Sequence, residues 1–101
     1  MFVALWEFEV KPGCEERFQK VPGPEGDWAK LFRSDANYQE TRLLHDPEHP
    51  AMFLTLDFWA SQQAYETFMT SHAAEYERLD AEGEKLTRRE RKIGWFEQVD
   101  S

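Results

Sequence analysis

The chain has 101 residues, of which 41% are hydrophobic and 32% charged, with a formal net charge of −8. That balance predicts one soluble globular domain over residues 1–101 with a modest core; it excludes a disordered chain, and the acidic surplus argues against a nucleic-acid backbone as partner, which needs clustered Lys and Arg. The single cysteine, Cys14, excludes an intrachain disulfide, and no apolar run approaches the roughly 20 residues of a membrane span.

Phe2 to Val10 reads as a strand. Phe2, Ala4, Trp6, Phe8 and Val10 form one face, and Val3 and Leu5 make the first half apolar on the other face too. No basic leader precedes it, so a cytoplasmic protein without membrane contact is expected. Lys11-Pro12-Gly13 is a turn. Cys14, Phe18 and Val21 have helical spacing over 14–21, and Pro22-Gly23-Pro24-Glu25-Gly26 breaks that helix. Asp27 is placed to cap a second segment, Trp28 to Arg33, whose Trp28, Leu31 and Phe32 share a face.

After the loop Ser34 to Asn37, Tyr38 to His45 reads as a more polar strand. Asp46 to Pro50 is a hairpin loop, and Ala51 to Trp59 is a third strand, apolar on both faces. Ser61 caps a long helix whose Tyr65, Phe68, Met69, His72, Tyr76 and Leu79 form one stripe, with a break expected near Ser71 or Gly83. Arg91 to Val99 is the last strand. The basic residues Lys85, Arg88, Arg89, Arg91 and Lys92, interleaved with Glu84 and Glu90, read as a solvated strand entry.

The order is βαββαβ, an α+β ferredoxin-like arrangement. Right-handed crossovers put the helices on one face of a four-stranded antiparallel sheet and leave the other face bare. A sheet with one wet face should alternate apolar and polar residues, and the first and third strands do not. A longer loop folded over the bare face is the alternative, but the loops here are short, so packing against a second copy in twofold symmetry is expected: a homodimer, closing a dimeric α+β barrel.

The layout, together with Leu54-Thr55-Leu56-Asp57-Phe58-Trp59-Ala60-Ser61-Gln62-Gln63-Ala64-Tyr65, resembles the antibiotic biosynthesis monooxygenase (ABM) domain. The resemblance implies a pocket between sheet and helices. It also implies oxygenation of electron-rich phenols, hydroquinones or anthrones with no metal, flavin or other cofactor. The pocket Trp and Tyr of the aromatic-polyketide branch match Trp59 and Tyr65. Where that branch has Asn, four residues before the Trp, this chain has Thr55. A haem-degrading branch needs a His ligand near Arg78, an Asn near Trp6 and a Trp at Phe68; none is present, so haem chemistry is not expected. The segment from Gly23 to Trp28 belongs to neither branch.

His72, on the stripe facing the sheet, is a candidate general base, or else a rim histidine with a satisfied hydrogen bond. Tyr65 is a candidate donor to a substrate oxygen, or else a packing ring. Trp59, Thr55, Asp57, Trp6, Phe68 and Arg42 are the expected substrate contacts, a small hydrophobic or aromatic ligand being the expected partner. Asp57, inside an apolar strand, must be paired, exposed at an edge or shifted in pKa, and Arg42 on the neighbouring strand is its expected ion-pair partner. His45, Asp46, Glu48 and His49 offer metal-capable groups, but on a proline-containing loop no metal site is expected. The competing function is a non-catalytic small-molecule-binding or interaction dimer on the same scaffold.

Overall fold

The computed structural model describes residues 1–22 and 26–99. The elements run β1 (Phe2–Val10), α1 (Glu15–Gln19), α2 (Asp27–Phe32), β2 (Tyr38–His45), β3 (Met52–Trp59), α3 (Gln62–Ser71), α4 (Ala73–Glu84) and β4 (Thr87–Glu97). The four strands form one antiparallel sheet in the order β2-β3-β1-β4, so the two most apolar strands are central. This is the expected α+β ferredoxin-like arrangement.

Alternation along the strands decides which residues meet the helices. Phe2, Ala4, Phe8 and Val10 of β1, and Phe53, Thr55, Asp57 and Trp59 of β3, are all buried. They join Phe18, Trp28, Phe32, Tyr65 and Phe68 from the helices in one core. Large rings in contact fill this core: Phe32 lies 5.3 Å from Trp59 and 5.5 Å from Phe68, and Phe8 lies 5.1 Å from Phe18. Such rings supply more buried area per residue than aliphatic side chains, which suits a short chain.

The opposite face carries Val3, Leu5, Leu54, Leu56 and Phe58, only half-buried. At its margins Leu44 is 49% and Phe96 50% exposed. Among the described residues no helix covers that apolar face.

Several boundaries differ from those expected. Gly26, not Asp27, is the N-cap of α2, in extended backbone and without a side-chain hydrogen bond. A Cβ at position 26 would overlap the Val21 carbonyl oxygen, so the close approach requires glycine. Positions 23–25 of the expected helix-breaking segment lie outside the described residues. Gly13 closes the Lys11-Pro12-Gly13 turn with φ 84°, which favours glycine. The Ser61 Oγ accepts the Ala64 N–H at 3.1 Å, as a helix cap should. The helix after Ser61 breaks at His72, whose φ of −117° and ψ of 27° separate α3 from α4; Gly83 stays helical.

The last strand begins at Thr87, four residues earlier than the apolar pattern indicates, because Thr87 to Lys92 is held by backbone pairing to β1. Glu7 and Arg91 face each other in that register and form an ion pair of 3.2 Å. Ile93 is the extra residue at a register shift opposite Leu5 and Trp6. No helix among the described residues is long and apolar enough to cross a membrane.

Candidate active site

Three β3 residues, Thr55, Asp57 and Trp59, point into the space between sheet and helices, two residues apart on one face. Trp6 joins them as the cross-strand neighbour of Thr55. From above, α3 contributes Tyr65 and Phe68, with ring centroids 5.7 Å and 5.1 Å from Trp59. His72 stacks on Phe68 at 4.2 Å, and its Nδ1 lies 3.3 Å from the Phe68 carbonyl oxygen. As donor to that carbonyl, Nδ1 would leave Nε2 as the basic nitrogen. Six of the eight expected site residues therefore face the space between the layers, while His72 is half-buried against Phe68 at the end of α3.

Arg42 does not face that space. Its register partner is Leu56, whereas Thr41 is opposite Asp57. Cross-strand partners share a face, so Arg42 emerges on the open side of the sheet. There it pairs with Glu40 at 3.0 Å and lies over the Phe58 ring at 5.3 Å. The expected Arg42–Asp57 ion pair is thus replaced by a neutral partner: the Thr41 hydroxyl donates to Asp57 Oδ1 at 2.6 Å. The Tyr38 hydroxyl lies 2.6 Å from Thr41 Oγ1. Since Thr41 has one proton and gives it to Asp57, Tyr38 is the donor in that second bond.

Burial without a cation decides the charge state of Asp57. Desolvation pushes its carboxyl up to about 7, the Thr41 hydrogen bond offsetting only part of the rise. Tyr65 and Tyr76 are raised above the ordinary phenol value, first by burial and then by neighbouring groups that include Asp57. Both remain O–H donors at neutral pH. The Trp59 and Trp28 Nε1–H groups are buried and have no hydrogen-bond acceptor among the described residues. A buried donor left in this state costs about 1–3 kcal/mol, so an acceptor brought to it would be bound favourably.

Towards β4, the half-buried rings of Trp6 and Trp95 meet edge to face at 5.7 Å, and Trp95 lies 5.3 Å from Tyr65. Lys92 Nζ stands 4.0 Å above the Trp95 ring. On α4 and β4, the carboxylates of Asp80, Glu84 and Glu90 lie within 4.8 Å of one another. Burial, then Asp80 and Glu84, pushes Glu90 up to about 7. Sequence reading had Glu84 and Glu90 only as interruptions in a basic stretch; their convergence with Asp80 needs β4 to lie beside α4. Tyr38, Thr41, Tyr76 and Trp95 were likewise not singled out as site residues. The metal-capable loop groups bond locally: His49 Nδ1 contacts Asp46 at 2.9 Å, and His45 Nε2 contacts the Pro50 carbonyl oxygen at 2.8 Å.

Comparison with known proteins agrees with this architecture. The family profile described as antibiotic biosynthesis monooxygenase matches residues 1–78. A Deinococcus radiodurans protein described as an antibiotic biosynthesis monooxygenase superimposes with TM-score 0.79 at 12% identity, covering 100% of this chain and 95% of that one. A point mutant of SnoaB, a cofactor-independent oxygenase from Streptomyces nogalater, superimposes with TM-score 0.78 at 14% identity, covering 99% and 94%. A third structure, from Nitrosomonas europaea, gives 0.75 at 12% identity, with 99% and 100% covered. At these identities the superpositions establish the fold alone. No curated protein sequence matches the chain.

Proposed function

The chain belongs to the antibiotic biosynthesis monooxygenase family, and on that premise we propose that it is a cofactor-independent monooxygenase of a small electron-rich aromatic substrate, a phenol, hydroquinone or anthrone. The observation that carries this reading is Asp57: a carboxyl buried among aromatic side chains, without a cationic partner among its hydrogen bonds, and held up at about 7. A base whose pKa sits near neutral pH is well placed to take a proton from an acidic phenol or anthrone.

The chemistry then needs little more from the protein. The substrate C–H or O–H gives its proton to Asp57; the resulting anion passes one electron to O2; the radical pair recombines to a peroxide anion, which takes up one proton to become the hydroperoxide. For an anthrone, loss of water leaves the quinone, so that one CH2 and one O2 become one C=O and one H2O. The protein must stabilise the anion and keep water out. The Tyr65 hydroxyl and the unpartnered Trp59 Nε1–H are the proposed donors to the substrate oxygen. Trp6, Thr55 and Phe68 are the proposed walls, and His72 is the rival base. Arg42, on the other face of the sheet, is not among the proposed substrate contacts.

A homodimer is part of the proposal. The apolar face of Val3, Leu5, Leu54, Leu56 and Phe58 supports it, because a monomer would leave that face in water. One observation favours the second reading, a non-catalytic binding dimer. The rings around Trp59 contact one another, so a ligand must displace them to reach Asp57.

Oxygen uptake on a panel of hydroquinones and anthrones separates the readings. The wild type should consume one O2 per substrate, Asp57→Asn should lose activity, and His72→Ala should keep most of it. Loss in His72→Ala with retention in Asp57→Asn would transfer the base to His72. No uptake on any substrate would leave the binding dimer.

A further inference from the structure

A base used once per turnover must lose its proton before the next, and Asp57 is buried at 8% exposure. Its route out is not back through the aromatic core, whose rings neither accept nor carry protons. It lies sideways, through the two hydroxyls of β2. Thr41 Oγ1 is 2.6 Å from Asp57 Oδ1, and Tyr38 Oη is 2.6 Å from Thr41 Oγ1. Both contacts are at the short end of the O–H···O range, and both links join groups that can donate and accept. Tyr38 is half-buried, and Tyr38 and Thr41 both line a solvent-open depression along the edge strand β2.

We propose that Thr41 and Tyr38 are a two-hydroxyl proton relay connecting Asp57 to water on the β2 edge. The inference rests on the oxygenase reading for its purpose, but the relay itself is a property of the folded protein. In the resting state both hydroxyls point inward, Tyr38 to Thr41 and Thr41 to the carboxylate. After Asp57 has taken the substrate proton, its carboxyl donates to Thr41 Oγ1. Thr41 passes its own proton to Tyr38 Oη, and Tyr38 gives its proton to water. One proton enters at Asp57, one leaves at Tyr38, and no electron moves; the peroxide anion takes one proton back from water as the product leaves, so the turnover as a whole releases none. Turning both hydroxyls back restores the start.

The geometry of the neighbours fits this direction. Tyr38 is held between Phe32 and Trp59, with ring centroids at 5.5 Å and 5.4 Å, so its hydroxyl is aimed by packing. The titratable groups that face Asp57 are Tyr38 and, from α3 and α4, Tyr65 and Tyr76. All three are neutral phenols at physiological pH; at the outer end Arg33 and the Glu40 carboxylate face Tyr38, and Glu40, being exposed, passes any proton it takes to water. A purely structural role would require only the Thr41 bond; it gives Tyr38 no task in proton exchange.

The test uses the full chain and two readouts. Exchange of the Thr41 hydroxyl proton with solvent is read by NMR from the deuterium isotope shift on Thr41 Cβ. Tyr38→Phe keeps the ring and removes the outer link; it should slow that exchange about tenfold or more, and lower kcat for the oxidised substrate by a similar factor with KM unchanged. Thr41→Val should lower kcat similarly, and Thr41→Ser should restore it. Unchanged or faster exchange in Tyr38→Phe would overturn the relay, as would equal kcat in Thr41→Val and wild type. A wild type inactive on every substrate removes the oxygenase reading but leaves the exchange measurement to decide the relay. An active enzyme with unaltered exchange in Tyr38→Phe removes the relay alone.

Discussion

Asp57→Asn should make the protein more stable at alkaline pH while removing the proposed activity. In the unfolded chain the Asp57 carboxyl titrates near its ordinary value of 3.8; in the folded chain burial holds it up at about 7. Between those values the native state keeps a proton that the unfolded state has lost. Each unit of rising pH in that window therefore removes about 1.4 kcal/mol of stability, and the loss levels off above the folded value. From pH 5 to pH 8, Asp57 alone accounts for a fall of about 3 kcal/mol. Asparagine keeps an Oδ1 to accept the Thr41 hydroxyl and has nothing to titrate. Glu90, also pushed up to about 7, adds a slope in the same direction. Being common to both proteins and away from the Asp57–Thr41 bond, it cancels in the difference. Urea unfolding of wild type and Asp57→Asn at several pH values reads this directly. The stability gap should widen in favour of the variant by about 3 kcal/mol between pH 5 and pH 8. Parallel curves would mean that Asp57 is already ionised in the native state at pH 5, which would refute a carboxyl poised near neutrality as the proton acceptor.

Other substitutions probe the layers separately. Leu56→Glu, on the open sheet face, should turn the proposed homodimer into a folded monomer; sedimentation equilibrium with circular dichroism distinguishes that from unfolding. Phe68→Ala removes a ring that is 1% exposed and contacts Phe32, Trp59 and His72. It should cost about 3–5 kcal/mol in denaturant unfolding, because the rigid aromatic neighbours cannot close the cavity. Ser61→Ala deletes the cap on the Ala64 N–H and should cost about 1 kcal/mol by the same assay.

Strand and helix order was legible because the central strands declare themselves on both faces. Val3 and Leu5 opposite Phe2 and Ala4 can only be a strand at the middle of a sheet. The Ser61 cap and the Tyr65–Phe68 stripe were equally direct. The start of β4 was not, since Thr87 to Lys92 pairs through its backbone while its arginines stay in water, leaving no apolar period to read. The site was half visible. Parity along β3 put Thr55, Asp57 and Trp59 on one face, but the register of β2 decides whether Arg42 or Thr41 meets Asp57, and that register is set by pairing over the hairpin. One position separates a salt bridge from a neutral hydroxyl, and with it an ordinary carboxylate from one held near 7. Likewise, Asp80, Glu84 and Glu90 converge only because β4 returns beside α4.

Isotope tracing tests the proposed chemistry most directly. An anthrone or hydroquinone is oxidised by the wild-type protein, freed of metal and flavin, under oxygen-18 gas in ordinary water, and the product is weighed by mass spectrometry before its oxygen exchanges. The product should carry one heavy oxygen, and Asp57→Asn should form none above the uncatalysed background. A product labelled only when the heavy isotope is supplied as water, or formed equally by Asp57→Asn, would contradict this chemistry.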